Sequence, residues 1–164
     1  GNPWGHIIMR GGKTPNYHAA DIAAAAERLR EFGLPEQLVV DFSHGNCQKQ
    51  HRRQLEVCES VCEQIRHGSR AIAGVMAESF LEEGSQAIEP GKALVRGQSI
   101  TDPCLSWEQS EQLLEMLARA VDSRFCPHAR AVACASFLHP PAVALNFPAF
   151  HKIITNNACR FRNR

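Results

Sequence analysis

The sequence lacks the features that would place it among membrane proteins or disulfide-rich secreted proteins. No run approaches the roughly 18 to 20 apolar residues that a membrane-spanning helix requires. The N-terminus has neither a basic signal-like segment nor an initiator Met, as in a chain that begins inside a longer protein. The seven cysteines are odd in number and include no CxxC pair, which argues against a disulfide framework and against a zinc ribbon. We therefore expect a globular, cytoplasmic protein without a membrane partner.

Acidic residues are missing from residues 126–164. All 17 acidic residues precede this segment, which holds five basic residues, four of the nine prolines and three of the seven cysteines. The change in composition predicts two pieces, an ordered unit over 1–125 and an irregular tail over 126–164. A translated non-coding or frameshifted segment is the favoured interpretation of the tail, and a lineage-specific interaction tail is the alternative. Its scattered charges form no compact patch, so no nucleic-acid partner is expected.

Three strand–helix units fill residues 5 to about 125. Apolar strands are predicted over 5–10, 38–42 and 71–77. Apolar residues at helical spacing predict helices over about 21–32, 49–67 and 106–125, the last opened by a capping box of Ser106 and Gln109. This alternation indicates an α/β fold with a parallel sheet covered by helices. Because a (β/α)8 TIM barrel has eight such units, we expect part of one.

Polar side chains follow each predicted strand. Arg10 ends the first strand, Asp41 and His44 follow the second, Glu78 follows the third, and Asp102 lies in the long connection to the last helix. In α/β barrels the functional groups lie at this end of the strands. One imidazole and two carboxylates suit a divalent metal such as Mn, Fe, Co or Zn, and a guanidinium suits a phosphate or carboxylate. Taken singly, each residue has an ordinary alternative: a hydrogen-bonded core histidine, a loop-edge carboxylate, or an aspartate that sets a turn before proline. Together they favour a metal site.

The connection itself, residues 80–106, has no predicted strand or helix. Connections this long without structure of their own are usually functional or disordered. We therefore expect an irregular loop that carries Asp102 to the site.

Four segments resemble one enzyme family. They are GHIIMRGGKTPNY, VVDFSHGNCQKQ, AGVMAES and GQSITDPCLSWE, in this order along the chain. They are similar to the C-terminal third of class I 3-deoxy-D-arabino-heptulosonate 7-phosphate (DAHP) synthases. Within that family, DFSHGNCQKQHRRQLEVCE most resembles the tyrosine-sensitive isoenzyme of enteric bacteria. The segments RGGKTPNY and SITDPC favour this family over the related octulosonate-phosphate synthases.

The resemblance implies a fold, a reaction and four site residues. The fold is a (β/α)8 barrel, of which this chain would supply the last three units. The reaction, in the shikimate pathway to aromatic amino acids, condenses phosphoenolpyruvate with erythrose 4-phosphate to give DAHP and phosphate. His44, Glu78 and Asp102 match metal ligands, and Arg10 matches a phosphoenolpyruvate-binding arginine, while no residue is assigned a catalytic acid or base role. The complete enzyme is expected to be a cytoplasmic homo-oligomer.

Two departures separate this chain from the family pattern. The family's fourth metal ligand, a cysteine, and most of its substrate contacts lie upstream of the matched region, and neither Cys47 nor Cys104 is assigned in that place. Family members end near residue 125, so the tail and its histidines have no match. We therefore expect the isolated chain to be inactive and, with two unpaired sheet edges, prone to aggregation. The alternative is a non-catalytic product that only packs on a partner protomer.

Overall fold

Three apolar segments form one parallel sheet in the computed structural model, which describes residues 5–125. The strands are β1, Ile7–Met9; β2, Leu38–Asp41; and β3, Ile72–Met76, in the order β1-β2-β3. Both pairs are parallel, with Ile7 beside Leu38 and Val40 beside Val75. The predicted parallel pairing is confirmed, and the carboxyl ends of the three strands lie at one edge of the sheet. The predictions for the tail, 126–164, fall outside the described residues.

Three helices alternate with these strands or follow them. They are α1, Ala19–Glu31; α2, Gln54–Arg66; and α3, Trp107–Phe125. Gly33 and Gly68, with φ of 65° and 93°, follow α1 and α2 in the left-handed conformation that commonly ends a helix. The predicted capping box opens α3: Gln109 Oε1 accepts the Ser106 N–H at 2.9 Å, and Ser106 Oγ accepts the Gln109 N–H at 3.3 Å. None of the described helices combines the length and the apolarity needed to cross a bilayer.

The hydrophobic core joins β2 to the helices α2 and α3. The shared cluster includes Leu38, Val40 and Phe42 at β2, Val57, Cys58, Val61, Cys62 and Ile65 on α2, and Leu113 and Ala120 on α3. On the edge strand β1, by contrast, Ile7 and Ile8 are 46% and 41% exposed. Within residues 5–125, β1 and β3 each lack a neighbour on one side. The described sheet therefore has two open edges.

The second helix begins later than predicted. Its start was expected near Lys49, but Gln48 and Lys49 have φ of 53° and 61°, left-handed values that an α-helix of L-residues excludes. A single turn of 3-10 helix, His51–Arg53, follows, and α2 starts only at Gln54. Residues 43–50 instead form a compact segment, called here the His44 loop.

The segment between β3 and α3 has structure of its own, so the expectation of an irregular loop is wrong. Strands β4, Glu82–Ser85, and β5, Gln98–Ser99, form a two-stranded parallel sheet. Gly84 and Cys104 also exchange main-chain hydrogen bonds of 2.8 and 3.0 Å, which anchor this sheet near the start of α3. The strands are short and rich in Glu, Gly and Gln, so they lack the alternation of apolar and polar residues that predicts a strand. Residues 80–106 are called the β4–β5 connection below.

Candidate metal centre

Three side chains from distant parts of the sequence converge at the carboxyl edge of the sheet. His44 follows β2, Glu78 follows β3, and Asp102 lies in the β4–β5 connection. One ligand atom of each lies within 4.8 Å of the others, and His44 Nε2 is 3.8 Å from Glu78 Oε1. His44 and Glu78 are partly buried and Asp102 is exposed. The structure thus brings together the three residues predicted from sequence, and their role as metal ligands stays a prediction.

The imidazole of His44 is held by its neighbours through Nδ1. Asp41 Oδ2 lies 2.7 Å from His44 Nδ1, and Ser43 Oγ lies 2.6 Å from the same nitrogen. Asp41 Oδ1 accepts the Ser43 hydroxyl at 2.5 Å and the Ser43 N–H at 2.8 Å. Because a carboxylate only accepts hydrogen bonds, we place the His44 proton on Nδ1. Nε2, 3.8 Å from Glu78 Oε1, then carries the lone pair, as in the carboxylate–histidine–metal arrangement of many metal sites.

A fully buried asparagine ties the ends of β1 and β2 together. Asn46 Nδ2 donates to the carbonyl oxygens of Met9 at 2.9 Å and Asp41 at 2.7 Å, and its Oδ1 accepts the Asn16 N–H at 2.8 Å. These bonds fix the backbone directly before Arg10 and shortly before His44. Asn46 was not predicted from the sequence, because an asparagine after a strand is typical of a turn and two of its partners, Met9 and Asn16, lie far away along the chain.

The His44 loop also requires two glycines in close contact. A Cβ on Gly11 would lie 2.7 Å from main-chain atoms of Gly45 and Asn46, and one on Gly45 would lie 2.7 Å from main-chain atoms of Gly11 and Gly12. Gly11 has φ of 71°, and His44 itself has φ of 51°. Non-glycine residues adopt such angles at a cost and are found so most often at functional sites. The backbone here is therefore shaped by contacts that outweigh local preference.

A cavity of about 400 Å³ is lined by His44, Glu78 and Asp102. Besides the three convergent side chains, its lining includes the cations Arg10, Lys13 and Lys49. Arg10 was predicted from the sequence, whereas Lys49 was assigned to the second helix and instead lies in the His44 loop with a left-handed backbone. Three cationic side chains beside two carboxylates make a site that can hold a cation and an anion together.

Burial raises the pKa of Glu78 above its ordinary value. The nearby carboxylates of Asp102 and Asp41 act in the same direction, while His44, when it carries a second proton, and Arg10 oppose them. A partly buried carboxyl group beside two other carboxylates gains from a positive ion, because that ion removes the repulsion and replaces lost hydration. The electrostatics therefore favour a cation at the point where the three side chains meet.

The donor set fits a first-row divalent cation. Two donors bound to one ion at about 2.2 Å are at most roughly 4.4 Å apart. The ligand atoms here lie within 4.8 Å of one another, so small side-chain shifts would bring them to bonding distance. The nearby thiols of Cys47 and Cys104 are less suited to bind a metal, because a metal binds the thiolate and burial raises the pKa of both. Cys47 Sγ donates to the carbonyl of His44 at 3.7 Å and Cys104 Sγ to that of Asp102 at 3.3 Å. Both thiols thus support the backbone of a predicted ligand, and neither is assigned as a ligand.

Comparisons with known proteins agree on one family. The DAHP synthetase I family model matches residues 1–115. The chain is 75% identical over 125 residues to the Trp-sensitive phospho-2-dehydro-3-deoxyheptonate aldolase of Salmonella typhimurium and 74% identical to that of Escherichia coli K12. Each alignment covers 76% of this chain and 36% of the relative. A solved phospho-2-dehydro-3-deoxyheptonate aldolase from Francisella tularensis superposes with a TM-score of 0.72 at 43% identity, over 76% of this chain and 36% of that one.

The expected likeness to the tyrosine-sensitive isoenzyme is wrong, because these relatives are named Trp-sensitive. That expectation was based on residues 41–59, which include the His44 loop and the first part of α2. Several of its residues, among them Asn46, Val57 and Cys58, are buried by the site or the core. Such positions are set by packing that does not depend on the inhibitor, so they identify the family and not the isoenzyme.

Proposed function

This chain belongs to the DAHP synthetase I family, and on that premise we propose that it is part of a DAHP synthase. It spans 36% of the length of the relatives described above. The complete enzyme would condense phosphoenolpyruvate with erythrose 4-phosphate in the cytoplasm, as a homo-oligomer, and its feedback inhibitor would be tryptophan, by analogy with those relatives.

The chain's own contribution would be a metal-binding face with an anion-binding arginine beside it. His44, Glu78 and Asp102 would hold a divalent cation, which supplies Lewis-acid polarisation of a substrate carbonyl when bound. Arg10 lines the same cavity and would orient the carboxylate or phosphate of phosphoenolpyruvate. Asp41 would keep the His44 ring turned so that Nε2 faces the cation. The convergence of three donors within 4.8 Å is the observation that carries this proposal.

The proposal includes a barrel fold and a division of the chain near residue 125. Residues 1–125 would form the last three units of a (β/α)8 barrel, and 126–164 would be a tail outside it. The order β1-β2-β3, the two open sheet edges and the superposition on part of a longer chain support the barrel assignment. Because most substrate contacts would come from the remaining units, the isolated chain should not turn over substrate.

Metal titration of the isolated chain tests the site. Mn²⁺ or Co²⁺ binding should weaken when His44, Glu78 or Asp102 is changed to Ala, and it should be unaffected by His67→Ala on the exposed end of α2. Binding that survives all three site substitutions would contradict the assignment of the ligands.

Activity requires a completed chain, in which residues 1–125 are joined to the missing part of a relative. That chimera should consume phosphoenolpyruvate only with erythrose 4-phosphate and metal, and His44→Ala should abolish turnover. The open sheet edges favour a second candidate, a non-catalytic piece that packs on a partner protomer. An inactive chimera that folds and binds a full-length relative would favour this second candidate, whereas turnover by the isolated chain would contradict the predicted inactivity.

A further inference from the structure

A buried glutamine holds the main chain of Glu78. Gln54, the first residue of α2, is 0% exposed. Its Oε1 accepts the Glu78 N–H at 2.9 Å, and its Nε2 donates to the Glu78 carbonyl oxygen at 3.1 Å. Both ends of one carboxamide therefore bind one residue, in the way that the main chain of a neighbouring strand would.

Glu78 needs such a partner because it lies beyond the reach of β2. The ladder between β2 and β3 ends with Asp41 beside Met76, and the Phe42 N–H donates to the Met76 carbonyl at 2.8 Å. Glu78 comes two residues later. A partly buried peptide group without a partner is unfavourable, so the Gln54 side chain replaces the missing strand at this position.

The same contact reaches the segment that carries Asp102. The carbonyl oxygen of Glu78 also accepts the N–H of Leu105 at 2.9 Å, and Leu105 is fully buried three residues after Asp102. One carbonyl with two acceptor sites thus joins the start of α2 to the end of the β4–β5 connection. Because α2 and its short 3-10 turn follow the His44 loop, Gln54 connects the elements that bear all three convergent side chains.

We infer that Gln54 is a positioning residue of the metal centre, an inference that rests on the proposed function. Its carboxamide fixes the Glu78 main chain, so that the Glu78 carboxylate faces His44. An apolar side chain would fill the same space but would leave the Glu78 N–H without this acceptor. Groups that act on a metal through its ligands typically change metal affinity 10- to 100-fold when they are removed.

The test compares Gln54→Met with Gln64→Met in the 164-residue chain. Methionine is about as long as glutamine but has no amide. Gln64 is a matched control on the same helix, since its Nε2 donates to the Tyr17 carbonyl at 2.8 Å, away from the three convergent residues. In a Co²⁺ titration followed by visible absorption, Gln54→Met should weaken binding about 10- to 100-fold and alter the absorption band at saturation. Gln64→Met should leave both unchanged. Equal affinity and an equal band for Gln54→Met and the unchanged chain would overturn the inference.

A double substitution separates positioning from a general loss of stability. Glu78→Ala removes the carboxylate but keeps the main chain that Gln54 contacts. If Gln54 acts through the Glu78 carboxylate, Gln54→Met should weaken Co²⁺ binding less than about 3-fold in the Glu78→Ala background. A loss of the same size in both backgrounds would show that Gln54 only supports the fold, which also overturns the inference. The chain without substitutions is measured in the same titration. If it binds no Co²⁺ through His44, the proposed function is overturned, and this inference with it.

Discussion

The His44 loop and the β4–β5 connection each bring one convergent side chain to the candidate metal centre, and they are held in opposite ways. In the His44 loop, Ser43 and Asn46 are buried, and within residues 5–125 every buried side-chain nitrogen and oxygen has a hydrogen-bond partner. Much of the connection is exposed, Asp102 included. Water can replace the hydrogen bonds of an exposed segment but not those of a buried one. We therefore expect the His44 side chain to be held in place with or without a cation, and the exposed Asp102 side chain to be held less tightly.

Asn46→Ala should have the largest effect on stability. It leaves two carbonyl oxygens and one N–H without their partner, at roughly 1 to 3 kcal/mol for each buried group. We expect the free energy of unfolding to fall by about 4 kcal/mol, measured by urea denaturation and circular dichroism.

Gln86 in the β4–β5 connection is the matched control for Asn46. Its side chain also makes three hydrogen bonds to main-chain groups, those of Val95 and Gln98, but at a more exposed position. Gln86→Ala should cost less than about 1 kcal/mol, because water takes over these bonds. Equal losses for the two substitutions would remove the distinction between the two segments.

Glycine substitutions should have intermediate effects. Gly11→Ala places a methyl group 2.7 Å from the main chain of the His44 loop and also forces a left-handed alanine. We expect a loss of about 3 kcal/mol in the free energy of unfolding. At Gly91 in the β4–β5 connection, an added methyl group would have no atom within 4 Å, so Gly91→Ala brings only the left-handed strain. It should lower the free energy of unfolding by about 1 kcal/mol.

The neighbouring Gly12 provides the control for this series. Its φ lies outside the left-handed region, and an added methyl group would have no atom within 4 Å, so Gly12→Ala should change stability by less than about 0.5 kcal/mol. Thermal or urea unfolding of the three variants gives the order directly. A Gly11→Ala chain as stable as Gly12→Ala would mean that the close contact between Gly11 and Gly45 does not form.

The smallest expected effect concerns pH and the β4–β5 connection. Arg52, Gln109 and His51 together lower the pKa of Glu83 from 4.5 to about 2. A lowered carboxyl pKa stabilises the fold when the pH is at or above the ordinary pKa of the group. This stabilisation is lost as the pH falls from 4.5 toward 2. Glu83→Gln should remove that part of the pH dependence of Tm, and salt at about 0.5 M should weaken it in the unchanged chain because the group is exposed. An identical Tm profile for the variant would contradict the assignment of the ion pairs.

Much of the fold and of the site geometry was predictable because it depends on local patterns. Apolar strands alternating with helices indicated the parallel sheet, and the polar residues that end those strands had to meet at one edge. His44 and Glu78 follow from that rule, whereas Asp102 lies in the long connection and was matched to the site by the family resemblance. The capping box at Ser106 is equally local, since both partners lie within four residues.

The remaining features depend on contacts between distant residues. Asn46 and Gln54 are ordinary polar residues in the sequence, and only their hydrogen bonds to Met9 and Glu78, which are distant along the chain, show what they do. The left-handed Gln48 and Lys49 delay α2, and their N–H groups donate to the carbonyl oxygens of Gly45 and His44 inside the His44 loop. The sheet of β4 and β5 was missed because main-chain bonds hold it, and these leave little pattern in the side chains.

Anomalous diffraction from a crystal of this chain grown with Mn²⁺ would locate a bound cation directly. The proposed site predicts one strong peak within bonding distance, about 2.0 to 2.3 Å, of His44 Nε2 and of carboxylate oxygens from Glu78 and Asp102. A peak bonded to other residues, or Mn²⁺ at full occupancy that leaves His44 uncoordinated, would contradict it.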